Sequence, residues 1–220
     1  ELWNISMPVD EDQGWRHPLA IGRGGTLYVG HKNLYAISGS PSAPQNLQTF
    51  TKDNNVTLTW ETPAQDGGSE ITDYIVYRGK NRSSMSSLIQ LNGNLNSYLD
   101  SNLNMGEKYF YQVSAVNKKG EGPRSITVDE ISARVPDAPQ NISVRTGDRK
   151  VNLSWDAPLK DGGREITGYR IYRAKNDSEL SLYASVDGDQ TYYLDDDLKN
   201  GQRYRYSVRA MNYVGEGEES

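Results

Sequence analysis

Tyr109-Phe-Tyr111-Gln-Val113-Ser-Ala115-Val-Asn117 sets core-type side chains at every second position, Tyr109, Tyr111, Val113 and Ala115. A period of two is the signature of a strand with one face buried, because successive side chains leave opposite faces of the sheet. The pattern returns 95 residues later as Tyr204-Arg-Tyr206-Ser-Val208-Arg-Ala210-Met-Asn212, with the same inward row. Working outward, the repeat holds without a gap. Ala43-Pro44-Gln45-Asn46 recurs as Ala138-Pro139-Gln140-Asn141, Trp60 as Trp155, and Asp66-Gly67-Gly68 as Asp161-Gly162-Gly163. Tyr74, Tyr77 and Arg78 map onto Tyr169, Tyr172 and Arg173, and Gly120-Glu121-Gly122 onto Gly215-Glu216-Gly217. A domain has been duplicated.

Within each copy, Val56-Thr-Leu-Thr-Trp60 and Val151-Asn-Leu-Ser-Trp155 alternate in the same way. Clusters of Gly, Pro, Asn and Asp separate the apolar segments and suit turns. About seven short strands fit each repeat, the number expected of a two-sheet sandwich. The expected fold class is all-β. It comprises tandem sandwiches over residues 41–135 and 136–220, preceded by a short antiparallel β fragment over 1–40.

Composition sets the limits. The 24 basic and 29 acidic side chains give a net charge of -5, without the concentrated positive face that nucleic-acid binding requires. Hydrophobic residues are 35% of the chain, and 15 Tyr with four Trp supply the large buried areas a narrow core needs. Cysteine is absent, which removes disulfides, thiolate zinc sites and cysteine nucleophiles from consideration. No apolar run reaches the roughly 18 residues of a membrane span. The start at Glu1-Leu-Trp-Asn falls in mid-pattern, so the expectation is a mature protein or an excised fragment, with the fragment favoured.

An Ala-Pro-x-Asn opening, a Trp closing the second strand, and Leu103-x-x-Gly106-x-x-Tyr109-x-Tyr111-x-Val113-x-Ala115-x-Asn117 resemble the fibronectin type III family. Leu198 through Asn212 matches the same motif. The resemblance implies structural roles for Trp60 and Trp155, and a tyrosine corner at Tyr109 and Tyr204, each hydroxyl bonding to backbone a few residues upstream. After Ser125 the first copy continues with Ile126-Thr-Val-Asp-Glu-Ile-Ser-Ala133, the expected last strand. Ser220 is the equivalent of Ser125, so the second sandwich is expected to lack its last strand. Truncation and strand addition by another chain, including strand-exchanged self-association, both account for that.

Residues 1–40 stand outside the repeat. Pro18-Leu-Ala-Ile-Gly-Arg-Gly-Gly-Thr-Leu-Tyr-Val-Gly30 followed by Asn33-Leu-Tyr-Ala-Ile37 resembles a blade of the pyrroloquinoline-quinone-type β-propeller repeat. Leu2-Trp3-Asn4-Ile5 is similar to the outer strand of a preceding blade. No residue set for binding the quinone or a metal accompanies the resemblance, and no cofactor is expected.

Groups able to do chemistry are few. Imidazole comes only from His17 and His31, and no serine sits in a nucleophile-elbow context. Asp66 and Asp161 repeat, but Asp-Gly-Gly is ordinary turn chemistry. Asp195-Asp196-Asp197, Asp187-Gly188-Asp189 and Asp10-Glu11-Asp12 are calcium candidates without EF-hand spacing, and solvated turns explain them as well. The pairs Tyr74/Tyr77 and Tyr169/Tyr172 are placed to stack on sugars or to face the core. Asn4, Asn55, Asn81, Asn141, Asn152 and Asn176 lie in Asn-x-Ser/Thr sequons, which matter if the chain is exported. Lys118, Lys119 and Tyr213, in the loops before the last strands, are the candidate interaction residues. Those loops carry no Arg-Gly-Asp, so integrin binding has no support.

The expectation is a non-catalytic, extracellular or cell-surface protein whose sandwiches serve as spacer and interaction modules toward other surface proteins or glycans. Accessory domains of a secreted hydrolase or oxidoreductase are the alternative. Intracellular scaffolding is a third reading.

Overall fold

The computed structural model describes the backbone of residues 3–4, 19–21, 27–30, 34–37 and 39–220, and the side chains of 39–220. All regular structure among them is β. In chain order the strands are β1 (Trp3–Asn4), β2 (Leu19–Ile21), β3 (Leu27–Gly30), β4 (Leu34–Ile37), β5 (Gln45–Lys52), β6 (Asn55–Glu61), β7 (Ile71–Gly79), β8 (Ser86–Asn92) and β9 (Ser97–Asp100). They continue with β10 (Lys108–Asn117), β11 (Gly120–Glu121), β12 (Val128–Ile131), β13 (Gln140–Gly147), β14 (Lys150–Asp156), β15 (Gly168–Lys175), β16 (Ser181–Asp187), β17 (Tyr192–Asp195) and β18 (Tyr204–Met211).

The first four strands form one antiparallel sheet in chain order, with Trp3 opposite Ile21, Leu19 opposite Val29 and Leu27 opposite Ile37. The segment expected to belong to a separate blade therefore joins the same sheet as its neighbours.

Each repeat builds two sheets. In the first, β5-β6-β9 forms one sheet and β11-β10-β7-β8 the other, with β12 also beside β10. In the second, β13-β14-β17 and β16-β15-β18 correspond. By packing, the chain falls into two compact units whose border does not follow the repeat. The second unit takes Thr51–Val56 and Asp100–Lys108 together with Ile131–Ser220.

The alternation read from sequence is the alternation of burial. Along β14, Val151, Leu153 and Trp155 are buried while Asn152 and Ser154 are exposed. Trp155 and Tyr169 meet edge to face with ring centroids 5.4 Å apart, and Trp60 and Tyr74 do the same at 5.4 Å. Such pairs contribute about 0.5–1.5 kcal/mol beyond the area they bury. Around Trp155 and Tyr169, the second core is completed by Ile171, Leu198, Val208 and Ala210.

A bulge shifts the pairing at matching places. The pairing of β7 with β8 shifts between Val76 and Tyr77, and that of β15 with β16 between Ile171 and Tyr172. The extra residue stands on the outer strand in each case, Leu88 in β8 and Tyr183 in β16. Along β7 the alternation continues, and Tyr77 is buried on the opposite face from Val76, beneath the Arg124 guanidinium.

In the second sandwich β18 pairs with β15, and among the described residues no counterpart of β12 lies beside it. Ser220 nevertheless repeats Ser125. Its N–H donates to Val208 O at 3.2 Å, and its hydroxyl accepts from Val208 N at 2.9 Å. Ser125 makes the equivalent pair with Val113, at 2.8 and 3.0 Å.

Candidate functional site

Turned away from the core, β7 and β10 present Tyr77 and Ser114 to the Gly-Glu-Gly turn. Tyr77 Oη donates to Glu121 Oε1 at 2.5 Å and Ser114 Oγ to the same oxygen at 2.6 Å, while the Arg124 guanidinium lies 3.5 Å over the Tyr77 ring. The Ser114 and Tyr77 hydroxyls hold the Glu121 carboxyl below its usual range, with Arg124 adding to the effect. Burial, then the hydrogen bond to Glu121, pushes the Tyr77 phenol up.

The second copy builds the same corner with more cation. Glu216 accepts from Tyr172 Oη at 2.6 Å and Arg170 at 2.7 Å, and Arg209 comes within 3.8 Å of it while lying 5.1 Å over the Tyr172 ring. Arg209 also pairs with Glu219 at 2.9 Å. Tyr77 and Tyr172 are thereby covered or hydrogen-bonded, and Tyr74 and Tyr169 are core residues, 0% and 1% exposed. Tyr74, Tyr77 and Tyr169 are therefore buried rather than presented for stacking, and Tyr172 is half-buried.

Asp195 of the acidic triplet is a buried counter-ion. Arg173 Nη1 reaches both its oxygens at 3.1 and 3.0 Å, Tyr206 Oη donates at 2.7 Å and Tyr183 Oη at 3.3 Å. The Arg173 guanidinium stacks 3.5 Å over the Tyr183 ring. Burial first, and then the bond to Asp195, drives the Tyr206 phenol far above its ordinary value. Asp196 and Asp197 are exposed. No group of three or more His, Cys, Asp or Glu among the described residues is placed to hold a metal ion. The calcium candidate Asp10-Glu11-Asp12 lies outside the described residues, as do His17 and His31.

The other sequence candidates are dispersed. Trp60 and Trp155 are buried, 4% and 3% exposed. Tyr204 Oη accepts a hydrogen bond from the Lys199 backbone N–H at 3.2 Å, five residues upstream. Tyr109 is 6% exposed, with Arg78 lying 5.5 Å over its ring. Asn81, Asn141, Asn152 and Asn176 are exposed, Asn55 is half-buried, and the Asn4 side chain lies outside the described residues. Asn81 Oδ1 accepts from both the backbone N–H and the hydroxyl of Ser83, its sequon partner. Lys118 and Lys119 are exposed, and Tyr213 is 72% exposed with Arg164 lying 5.0 Å over its ring. An open cleft of about 670 Å³ is lined by Ala157, Pro158, Asp161, Glu165, Ile166, Gly188 and Asp189.

Sequence reasoning passed over Glu121, Glu216, Arg173, Asn117 and Asn212, which carry most of the polar organisation. All repeat at the same spacing, and that was the available signal. Glu121 and Glu216 were read only as parts of turns.

A model of the family described as "Fibronectin type III domain" matches residues 42–131 and 137–220. Among curated proteins, the chain is 30% identical over 186 residues to titin of Drosophila melanogaster, covering 80% of this chain and 1% of titin. It is 29% identical over 194 residues to the netrin receptor DCC of Mus musculus, covering 84% of the chain and 13% of the receptor. Exoglucanase B of Cellulomonas fimi is 26% identical over 199 residues, covering 86% of the chain and 17% of that protein. The chain thus spans a small part of each relative. Among solved structures, the FN1–FN3 segment of chicken CNTN1 superposes with a TM-score of 0.55 at 21% identity, covering 89% of this chain and 74% of that one, a likeness of fold. With both halves of the repeat matched, the chain belongs to the fibronectin type III family.

Proposed function

We propose that the chain is a spacer and protein-interaction segment of a larger cell-surface or secreted modular protein, with the residues before Gly39 forming the end of a β-propeller. One observation carries the reading. Glu121, Glu216 and Asp195, each held by two or more donors, serve to hold strands and turns, while exposed Lys118, Lys119 and Tyr213 sit at loop tips. Fibronectin type III domains are generally non-catalytic modules. The likeness to a netrin receptor supports recognition of another protein at such loops, and the exposed sequons fit an exported chain.

The test is binding by immobilised chain to extracellular and envelope proteins of its source. The comparison is a Lys118→Ala/Lys119→Ala/Tyr213→Ser variant. Saturable retention lost in the variant supports docking through these loops. Absence of saturable retention by the unaltered chain overturns the interaction role and leaves a spacer. A second reading, accessory domains beside a catalytic domain, is favoured by the exoglucanase likeness. A catalytic motif in the sequence flanking this segment of the full-length protein would decide for it.

A further inference from the structure

The polar residues that repeat between the copies converge on one place in each, the segment by which the chain enters the sandwich. Asn117, 3% exposed, donates from Nδ2 to Gly39 O at 2.9 Å and to Asp66 O at 2.7 Å. Asn212, 4% exposed, donates to Arg134 O and Asp161 O, both at 2.8 Å. The carboxamide oxygens face the following turn and accept from Lys119 N and Val214 N, both at 2.8 Å. One side chain therefore ties together the incoming segment, the Asp-Gly-Gly turn and the turn after the long strand. A carboxamide has the two donors and the acceptor this needs, whereas a carboxylate would set anionic oxygens against two carbonyls.

Backbone bonds complete the fastening. Gly39 N donates to Gly67 O at 2.8 Å and Arg134 N to Gly162 O at 2.9 Å. Three residues on, Ser42 N donates to Gln65 O at 2.9 Å and Asp137 N to Lys160 O at 3.0 Å. Close approach requires glycine at the turn. A Cβ on Gly162 would stand 2.1 Å from Arg134 O at a φ of +80°, and one on Gly67 would stand 2.1 Å from Gly39 O at +72°.

We propose that Asn212 is a latch that shields the joint at Arg134–Val135 from proteolysis, and that Asn117 holds the segment at Gly39 in the same way. The Arg134–Val135 bond is a trypsin-type site, and both backbone polar groups of Arg134 are engaged. Its guanidinium is held by Asp137 at 2.5 Å and by Val135 O at 3.1 Å. A protease must draw such a segment out as an extended strand, so cleavage tracks how often it comes loose. This inference goes beyond the spacer or docking reading and stands whichever of those holds.

The experiment is limited trypsin digestion of the full chain, read by mass for fragments 1–134 and 135–220. Wild type, Asn212→Ala, Asn212→Asp and Asn117→Ala are compared, with amide exchange at Arg134 followed in parallel. Expected is cleavage at Arg134 about tenfold to a hundredfold faster in both Asn212 variants, from the two lost part-buried hydrogen bonds to Arg134 O and Asp161 O. Exchange in β14 and β15 stays unchanged, and Asn117→Ala leaves this bond as in wild type. Unaltered cleavage at Arg134 in Asn212→Ala overturns the proposal. So does an equal rise at Lys150 and Arg170, which marks general unfolding. If the Asn212 variants do not fold, Gly162→Ala decides: it displaces Arg134 O without touching β18, and unchanged cleavage there also overturns the latch.

Discussion

Removing the carboxylate of Asp195 tests whether the second sandwich is organised around its buried ion pair. The side chain is 0% exposed and Arg173 is 20% exposed, so Asp195→Ala leaves a guanidinium that water reaches only in part. It also strips Tyr206 of its 2.7 Å acceptor. Breaking a buried pair by deleting one partner costs about 3–5 kcal/mol, and the residual exposure of Arg173 places the expected cost near ~3 kcal/mol. For a domain of the size of residues 137–220, that lowers the melting temperature by roughly 12–24 °C. The assay is urea unfolding of the full chain, with hydrogen exchange reporting β14 and β15 apart from the strands of the first repeat. Arg173→Met/Asp195→Ala should recover part of the loss, because no charge is then stranded. A loss below ~1 kcal/mol in Asp195→Ala, or a double variant no better than the single one, would refute the account and reduce the pair to a solvated surface contact.

Three further outcomes are expected. Trp155→Ala should cost about 3–5 kcal/mol in the second sandwich and leave exchange in β7 unchanged, since it opens a cavity beside Tyr169. Tyr204→Phe removes the acceptor of the Lys199 N–H and should cost about 0.5–1.5 kcal/mol in urea unfolding. On the alkaline side, Tyr206 has a folded pKa raised above its ordinary 10.0, so its contribution is fully present below pH 10 and is lost as pH rises beyond it. Stability measured from pH 8 upward should therefore fall less steeply in Tyr206→Phe than in wild type.

The fold was legible because it is written in local alternation. Val151, Leu153 and Trp155 declare their strand without reference to anything distant, and the repeat doubles the signal. The polar organisation was not legible, because its partners are remote. Arg173 and Asp195 are 22 residues apart, Tyr172 and Glu216 are 44 apart, and Asn212 and Arg134 are 78 apart. A carboxylate in Asp-Asp-Asp or Gly-Glu-Gly looks the same whether it faces water or an arginine from another strand. The bulges at Leu88 and Tyr183 were also hidden, since alternation alone assigns the wrong face to every residue of β8 and β16 beyond an unseen extra one.

The two cores are near copies of each other. Trp60 stands for Trp155, Tyr74 for Tyr169, Val76 for Ile171 and Val113 for Val208, all buried and in matching strands. A strand from one repeat consequently meets a compatible groove in the other half, or in a neighbouring molecule, before it has found its own sheet. Refolding from denaturant is therefore a contest between homologous partners, in which a higher chain concentration favours swapped and aggregated products. The copies differ on their edge strands, where Leu88 of β8 aligns with Tyr183 of β16 and Phe50 of β5 with Arg145 of β13.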